Sequence, residues 1–110
     1  MNIIGPKAYI HLNRLRQNLL NIRKQIGDRH LLCVVKADGY GHGAKAIADA
    51  IAREPGISFA VFAFEEAVIL RQAGIRNEIL IFSRIQKHWL EPASRLNLVV
   101  SASSMNDLKL

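Results

Sequence analysis

The side chains best suited to chemistry lie in one short stretch, "LLCVVKADGYGHG", at residues 31–43. Lys36 ends a run of apolar residues, and Gly39, Gly41 and Gly43 follow it at alternate positions. Partial removal from water favours the neutral form of a lysine amine, and the neutral amine is a nucleophile toward carbonyl groups. Lys36 is therefore a candidate for covalent attachment of a carbonyl compound, although a lysine here can also extend its ammonium into solvent.

The three glycines after the lysine predict an anion site. Glycine lets backbone N–H groups approach a ligand closely, and a helix that starts after the loop would direct its first N–H groups to the same place. A phosphate group fits such a site. Tyr40 can donate a phenolic hydrogen bond to that phosphate or pack its ring against the sheet. His42 can serve as a base, a ligand or a hydrogen-bonding group of the loop.

A dinucleotide-binding motif is an alternative interpretation of the same glycines. Gly39, Gly41 and Ala44 match G-x-G-x-x-A, and Glu65 or Glu66 lies near the distance expected for an acid that binds a ribose. The residues "KAD", however, separate the apolar run from the first glycine of the motif. The sequence contains no G-x-x-x-x-G-K-[ST] phosphate-binding loop.

The elements that must position these residues alternate between helical and strand patterns. After a short extended start at "AYIHL", apolar residues at steps of three and four predict a helix with Asn13 as N-cap and Gly27 as its end. "GAKAIADAIAR" and "EEAVILRQAG" are also helical, the latter ending at Gly74. Four apolar runs suit parallel strands covered by helices, namely "LLCVV", "SFAVFAF", "EILIF" and "LNLVVS". The fold class is therefore α/β.

The length of the chain sets the extent of this fold. About four βα units occupy the 110 residues, whereas a complete β/α barrel needs about 250. Four strands alone leave two open sheet edges, and the capping box formed by Ser104 and Asp107 opens a helix close to the last residue. We therefore expect the N-terminal portion of a TIM-like barrel, truncated before closure, that associates rather than remaining a compact monomer. A small flavodoxin-like sheet is the alternative.

Composition limits the partners of the chain. The net charge is +6, and the first thirty residues hold six basic side chains against one acid, Asp28. The basic residues are Lys7, Arg14, Arg16, Arg23, Lys24 and Arg29. Aromatic residues make up only 6% of the chain and none lies between Arg14 and Arg29, which favours a solvated helix face over a nucleic-acid site.

Location and metal binding follow from other absences in the sequence. No apolar run is long enough for a membrane span, and "MNIIGPKAYI" lacks the features of a signal peptide, so we expect a cytoplasmic protein. Cys33 is the only cysteine and is expected to be a small core residue. No disulfide within the chain and no metal site is expected.

The stretch "VVKADGYGHG", from Val34 to Gly43, resembles the cofactor-attachment signature of the alanine racemases, which are pyridoxal-phosphate enzymes of the β/α-barrel fold. Asp38 and Gly39 stand where the signature more commonly has Asn and Ala. The segments "AYIHLNRLRQNLLNIRK" and "FAVFAFEEAVILRQAGIRNEILIF" are similar to neighbouring parts of the family. The resemblance implies that residues 1–110 are an incomplete N-terminal pyridoxal-phosphate-binding barrel domain, without the family's C-terminal β domain.

The resemblance also implies roles for two residues. Lys36 would hold pyridoxal 5'-phosphate as a Schiff base and serve as one of two acid/base groups, and Tyr40 would bind the cofactor phosphate. The opposing base, a tyrosine of the other subunit, and the arginine that faces the pyridine nitrogen lie beyond residue 110. The family thus implies a homodimer with a shared active site that interconverts L- and D-alanine for cell-wall precursors, with this fragment inactive alone. A non-catalytic pyridoxal-phosphate-binding barrel is a further alternative, against which "YGHG" argues.

Overall fold

Four parallel strands form one sheet in the order β1-β2-β3-β4 within residues 5–110, the part of the chain that the computed structural model describes. The strands are β1 (Leu31–Val34), β2 (Ile57–Val61), β3 (Ile79–Arg84) and β4 (Val99–Ser101). Each strand pairs with the one that precedes it in the chain. The expected parallel α/β arrangement is confirmed.

Helices connect the strands and cover one face of the sheet. They are α1 (Leu12–Ile26), α2 (Ala44–Ile51), α3 (Phe64–Gln72), α4 (Leu90–Arg95) and α5 (Met105–Leu108). A turn of 3-10 helix, Lys87–Trp89, precedes α4. A turn with left-handed backbone conformation, Lys36–Tyr40, follows β1. The chain thus repeats a strand–helix unit, which brings the residues after each strand to the same edge of the sheet.

The core lies between the sheet and these helices. Its central side chains come from the helix-facing rows of β2 and β3 and are fully buried: Phe59, Val61, Ile79 and Ile81. Burying a side chain of this size contributes about 1.5–3 kcal/mol relative to leaving it exposed. The opposite face of the sheet carries exposed apolar side chains: Leu32, Val34, Phe62, Phe82 and Val99.

Helix α1 differs from the prediction at its start. It begins at Leu12, so Asn13 is not the N-cap, which is His11 without a side-chain cap. The Asn13 side chain instead accepts a hydrogen bond from Arg16 Nη1 at 2.9 Å. The preceding "AYI" segment belongs to no strand of the described sheet. Gly27 ends the helix as predicted, with φ 64° and its N–H donating to Arg23 O at 3.0 Å.

The other predicted elements are present with shifted ends. β2 stops at Val61 and α3 starts at Phe64, so the run "SFAVFAF" spans a strand, a turn and the first residue of a helix. β3 continues past the predicted "EILIF" to Arg84. Ser104 caps α5 as predicted, because its Oγ accepts a hydrogen bond from the Asp107 N–H at 3.2 Å. The predicted capping box is incomplete, since the Asp107 carboxylate accepts from the Ser103 N–H at 2.7 Å and not from the Ser104 N–H.

Two of the basic residues near the N-terminus, Arg16 and Arg23, connect segments of the fold. Arg23 donates hydrogen bonds to Arg29 O at 2.6 Å and to Pro55 O at 2.7 Å, and Arg16 Nε donates to Ala50 O at 2.9 Å. These contacts give Arg16 and Arg23 a structural role. Between residues 5 and 110 no helix is sufficiently long and apolar to cross a membrane. The prediction that the chain has no signal peptide rests in part on residues 1–4, which lie outside the described range.

Candidate functional site

Lys36 lies just beyond the carboxyl end of β1. The strand ends at Val34, and the buried Val35 continues its path by donating its N–H to Ala60 O at 2.9 Å. Lys36 is half-buried and takes part in none of the ion pairs or side-chain hydrogen bonds found within residues 5–110. The predicted strand-end position is confirmed, and the amine has no protein partner in the described part of the chain.

A left-handed turn follows the lysine. Ala37, Asp38 and Gly39 have φ 53–64° and ψ 38–46°, and Tyr40 has φ 58°. This conformation costs about 1–2 kcal/mol for each residue other than glycine. Hydrogen bonds hold it, from the Gly39 N–H to Val35 O at 2.8 Å and from the Gly41 N–H to Ala37 O at 3.0 Å. The turn therefore fixes Lys36 at its start and Tyr40 at its end.

Gly39 is the residue through which the turn packs on helix α2. It is buried, and a Cβ atom at this position would lie 2.9 Å from Ile47 Cδ1 and 3.2 Å from Ala44 N. The positive φ of 64° and this close approach both favour glycine here. The turn is thus held tightly against the first residues of α2.

The expectation of an anion site built from the loop amides is wrong. The Ala44 N–H donates to Asp38 Oδ1 at 2.9 Å, and the Gly43 N–H donates to Asp38 O at 2.8 Å. The His42 N–H donates to Gly39 O at 3.1 Å. Because Asp38 occupies the N-terminus of α2, its carboxylate fills the place that a phosphate would take. His42 is a hydrogen-bonding group of the loop, since its Nδ1 lies 3.0 Å from Gly39 O.

Tyr40 is free to contact a ligand. Its side chain is 60% exposed, so the ring does not pack within the sheet. The hydroxyl takes part in none of the side-chain hydrogen bonds described between residues 5 and 110. Within residues 5–110, an amine and a phenol without hydrogen-bond partners thus lie at the two ends of one hydrogen-bonded turn, which suits a ligand that carries both a carbonyl group and a phosphate.

The carboxyl end of β3 carries a second cation with a different environment. Arg84 Nε donates to Asp107 Oδ1 at 2.8 Å and to Oδ2 at 3.1 Å, and Nη2 lies 2.8 Å from Oδ1. The hydrogen bond from Arg84 lowers the pKa of the Asp107 carboxyl, with help from the Ser103 N–H at 2.7 Å. Sequence reasoning missed Arg84 because the predicted strand ended two residues earlier.

Two other candidate residues have structural roles. Glu66, proposed above as a ribose-binding acid, accepts hydrogen bonds from the Phe62 N–H at 3.0 Å and the Ala63 N–H at 2.9 Å, and so caps α3. Cys33 packs half-buried against the core, as expected, and burial raises the pKa of its thiol. In the described range, no three His, Cys, Asp or Glu side chains group as metal ligands would.

Comparison with known proteins identifies the relatives of this chain. The family described as "Alanine racemase, N-terminal domain" matches residues 10–110. Alanine racemase of Nitrosococcus oceani is 40% identical over 106 residues, which are 94% of this chain and 29% of that protein. The catabolic alanine racemase of Pseudomonas aeruginosa is 43% identical over 95 residues, covering 86% of this chain and 25% of that protein.

Solved structures agree with these sequence matches. Alanine racemase from E. faecalis superimposes with a TM-score of 0.82 and 31% identity over 91% of this chain and 27% of that one. The four βα units correspond to the start of a TIM-like barrel in such neighbours, so the flavodoxin-like alternative is wrong. The chain spans less than a third of the length of the relatives it matches.

Proposed function

The chain belongs to the alanine racemase family through that family's N-terminal domain, and from this premise we propose that it is the cofactor-binding part of an amino-acid racemase. The proposed reaction is the interconversion of L- and D-alanine, which supplies precursors of the cell wall. The observation that carries the proposal is Lys36, which is half-buried at the carboxyl end of β1 and has no partner among the described residues. Ligands and catalytic groups of β/α barrels collect at this edge.

We propose pyridoxal 5'-phosphate as the cofactor and Lys36 as its covalent anchor. When bound, this cofactor supplies an aldehyde for attachment and a ring that accepts electron density from the substrate Cα. Lys36 needs a neutral amine to attach, and the absence of a carboxylate partner among the described residues leaves that amine available. The same amine is proposed to accept and return a proton on one side of Cα.

Tyr40 is proposed to bind the phosphate through its hydroxyl. Asp38 already occupies the N-terminus of α2, and a phosphate there would meet a like charge. We therefore propose that side-chain donors supply the hydrogen bonds that backbone amides of a loop supply in many phosphate sites. The exposed phenol at the end of the left-handed turn is such a donor.

Inversion at Cα needs a second acid/base group on the opposite side. The only other tyrosine of the chain, Tyr9, is 77% exposed ahead of α1. We propose that the opposing base comes from a tyrosine of a second subunit, so that a homodimer in the cytoplasm shares the active site. The matched relatives, which are more than three times as long, provide sequence for such a residue.

Reduction and peptide mapping test the proposal on the full-length protein loaded with pyridoxal phosphate. Borohydride converts the carbon–nitrogen double bond of the attachment to a stable amine, and we expect the label on Lys36 together with racemisation of alanine. Lys45→Arg, an exposed position on α2, is the control and should keep both. Label on another lysine overturns the assignment. Label on Lys36 without racemisation of any amino acid identifies a non-catalytic carrier, and bound NAD without label identifies the dinucleotide alternative.

A further inference from the structure

Asp38 connects the left-handed turn to the start of α2. It lies midway between Lys36 and Tyr40 in the chain. Its backbone carbonyl accepts a hydrogen bond from the Gly43 N–H at 2.8 Å, and its side-chain Oδ1 accepts one from the Ala44 N–H at 2.9 Å. One residue of the turn therefore closes the following loop through both its main chain and its side chain.

The turn needs such contacts because its backbone is strained. Ala37, Asp38 and Tyr40 have φ 53–58° although none of them is glycine. The cost of this conformation for each L residue is comparable to the net gain from one backbone hydrogen bond. Only two such bonds, donated by the Gly39 and Gly41 N–H groups, hold the turn itself. Its conformation therefore also depends on contacts with the segment that follows, and Asp38 supplies two of them.

Glu66 provides a comparison, because it caps a helix without holding a strained turn. Its Oε1 accepts hydrogen bonds from the Phe62 and Ala63 N–H groups at 3.0 and 2.9 Å, at the start of α3. Neither Phe62 nor Ala63 has a positive φ. Asp38, in contrast, belongs to the strained segment, and its carboxylate reaches six residues forward to Ala44. Loss of the Asp38 carboxylate therefore affects the turn as well as the end of a helix.

The conformation of the turn determines where Lys36 and Tyr40 lie relative to each other. The three residues between them are all in the left-handed region, so a change to another backbone conformation would redirect the chain between the two side chains. A ligand that contacts both side chains binds only to molecules in which the turn is formed. Its apparent affinity therefore falls with the fraction of such molecules, whereas a ligand held at Lys36 alone does not depend on where Tyr40 lies.

We propose that Asp38 is a positioning residue of the cofactor site, because it holds the turn in the conformation that brings Lys36 and Tyr40 to one ligand. Asp38 itself contacts neither the cofactor nor the substrate and acts through Tyr40. The inference rests on the proposed function for the identity of the ligand, which carries a carbonyl group for Lys36 and a phosphate for Tyr40. The part that concerns the turn rests on the hydrogen bonds of Asp38 alone.

Hydrogen exchange in the full-length protein without cofactor tests whether Asp38 holds the turn. The Gly39 and Gly41 N–H groups donate to Val35 O and Ala37 O and do not contact the Asp38 side chain. Asp38→Ala should speed the exchange of these two amides roughly 5-fold, the effect expected for one capping hydrogen bond. Asp38→Asn keeps an acceptor oxygen and tolerates positive φ, so its exchange should stay close to that of the wild type. Glu66→Ala, the matched control, should leave both amides unchanged.

Two ligands then test the effect of the turn on the site. Pyridoxal 5'-phosphate carries both groups, whereas pyridoxal lacks the phosphate and has nothing for Tyr40 to bind. In absorbance titrations, Asp38→Ala should raise the Kd for pyridoxal 5'-phosphate about 5-fold and leave the Kd for pyridoxal nearly unchanged. In a Tyr40→Phe background, Asp38→Ala should have no further effect, because both changes act on the same contact. Glu66→Ala should bind both ligands as the wild type does.

Unchanged exchange of the Gly39 and Gly41 amides in Asp38→Ala overturns the proposal, since Asp38 would then cap α2 and nothing more. An unchanged Kd for pyridoxal 5'-phosphate, an equal rise for both ligands, or a further loss in the Tyr40→Phe background also overturns it. If Asp38→Ala does not unfold cooperatively, Asp38→Gly replaces it in each experiment, because glycine accepts positive φ but offers no side-chain acceptor. Absence of label on Lys36 removes the proposed function, while the exchange measurement still decides whether Asp38 holds the turn.

Discussion

Two cations lie at the carboxyl ends of parallel strands, and they differ in whether a carboxylate pairs with them. Lys36 is half-buried without a described partner, whereas the exposed Arg84 is joined to the buried Asp107 by three contacts. A paired charge stabilises its neighbourhood and is restricted in what it can bind. A half-buried charge without a partner contributes little to the fold, and this difference supports the proposal that Lys36 takes part in the chemistry.

The backbones at the two strand ends differ in the same sense. Four consecutive residues after Lys36 have positive φ, from Ala37 to Tyr40. Beyond β3, no residue from 85 to 96 has a positive φ, and a turn of 3-10 helix, Lys87–Trp89, leads into α4. Strained backbone concentrates where the surrounding structure must hold a functional group in place. Backbone strain is therefore found beside Lys36 and not beside Arg84.

Replacing Lys36 gives the largest expected effect. Lys36→Ala in the full-length protein should lower racemase kcat by at least about 10³-fold, because it removes both the cofactor anchor and one acid/base group. Its thermal unfolding temperature without cofactor should stay near that of the wild type, since no described ion pair is lost. Lys45→Ala is the matched control. A large fall in stability without cofactor would mean that Lys36 is a structural residue like Arg84.

Removing the hydroxyl of Tyr40 should weaken cofactor binding without affecting the fold. A hydrogen bond to a charged phosphate contributes about 1.5–3 kcal/mol, so Tyr40→Phe should raise the Kd for pyridoxal phosphate roughly 10- to 150-fold. The ring is exposed, and we therefore expect no change in the unfolding temperature. Titration followed by absorbance measures the affinity. An unchanged Kd would assign the phosphate to other residues.

Acid should remove the contribution of the Arg84–Asp107 pair. Arg84 lowers the folded-state pKa of the Asp107 carboxyl. The ionised carboxylate therefore stabilises the fold at every pH above the pKa of an aspartate in the unfolded chain, which is about 3.9. This contribution is lost as pH falls through the lower folded-state pKa. Thermal unfolding should show Asp107→Asn less stable than wild type at pH 7, with the gap closing toward pH 3.

Glu91→Gln is the control for that comparison. Glu91 pairs with Arg95 at 3.3 Å on the exposed surface of α4, and such pairs contribute only about 0.3–0.5 kcal/mol. The unfolding temperature of Glu91→Gln should stay close to that of the wild type over the whole pH range. If the gap between wild type and Asp107→Asn were constant with pH, the ionisation of Asp107 would have no part in its stabilising role.

The smallest expected effect concerns the cap beside the strained turn. Asp38→Ala removes the acceptor for the Ala44 N–H and should lower the free energy of unfolding by about 1 kcal/mol, as measured by urea denaturation. Asp38→Asn keeps an acceptor oxygen and should cost less. Equal losses in both variants would show that the negative charge at the start of α2 matters more than the hydrogen bond.

Much of the fold could be predicted from the sequence because the spacing of apolar residues indicates which side chains are buried. The runs around Cys33, Phe59 and Ile81 alternate with helical spacing, and each became a strand of the sheet. Element ends were less well predicted. Asn13 has the side chain of an N-cap, yet α1 starts one residue earlier, because packing of the apolar stripe decides where the helix begins.

The candidate site was only partly readable. Lys36 was proposed as a site residue because a charge at the end of an apolar run is unusual, and the signature around it supported the proposal; the structure confirms its position at the strand end. The left-handed turn was not foreseen, since Ala37 is a residue type that gives no sign of positive φ. The use of Asp38 as a cap was also missed, because its acceptor role spans six residues and depends on the turn itself.

The order of the strands bears on how the chain folds as it leaves the ribosome. The strands start at residues 31, 57, 79 and 99, and each pairs with its predecessor. At about 5–20 residues per second, successive strands emerge seconds apart, far longer than local structure needs to form. The nascent sheet can therefore grow strand by strand without waiting for distant sequence. The leading edge of each intermediate is an unpaired parallel strand, and chaperones that shield apolar edges would act there.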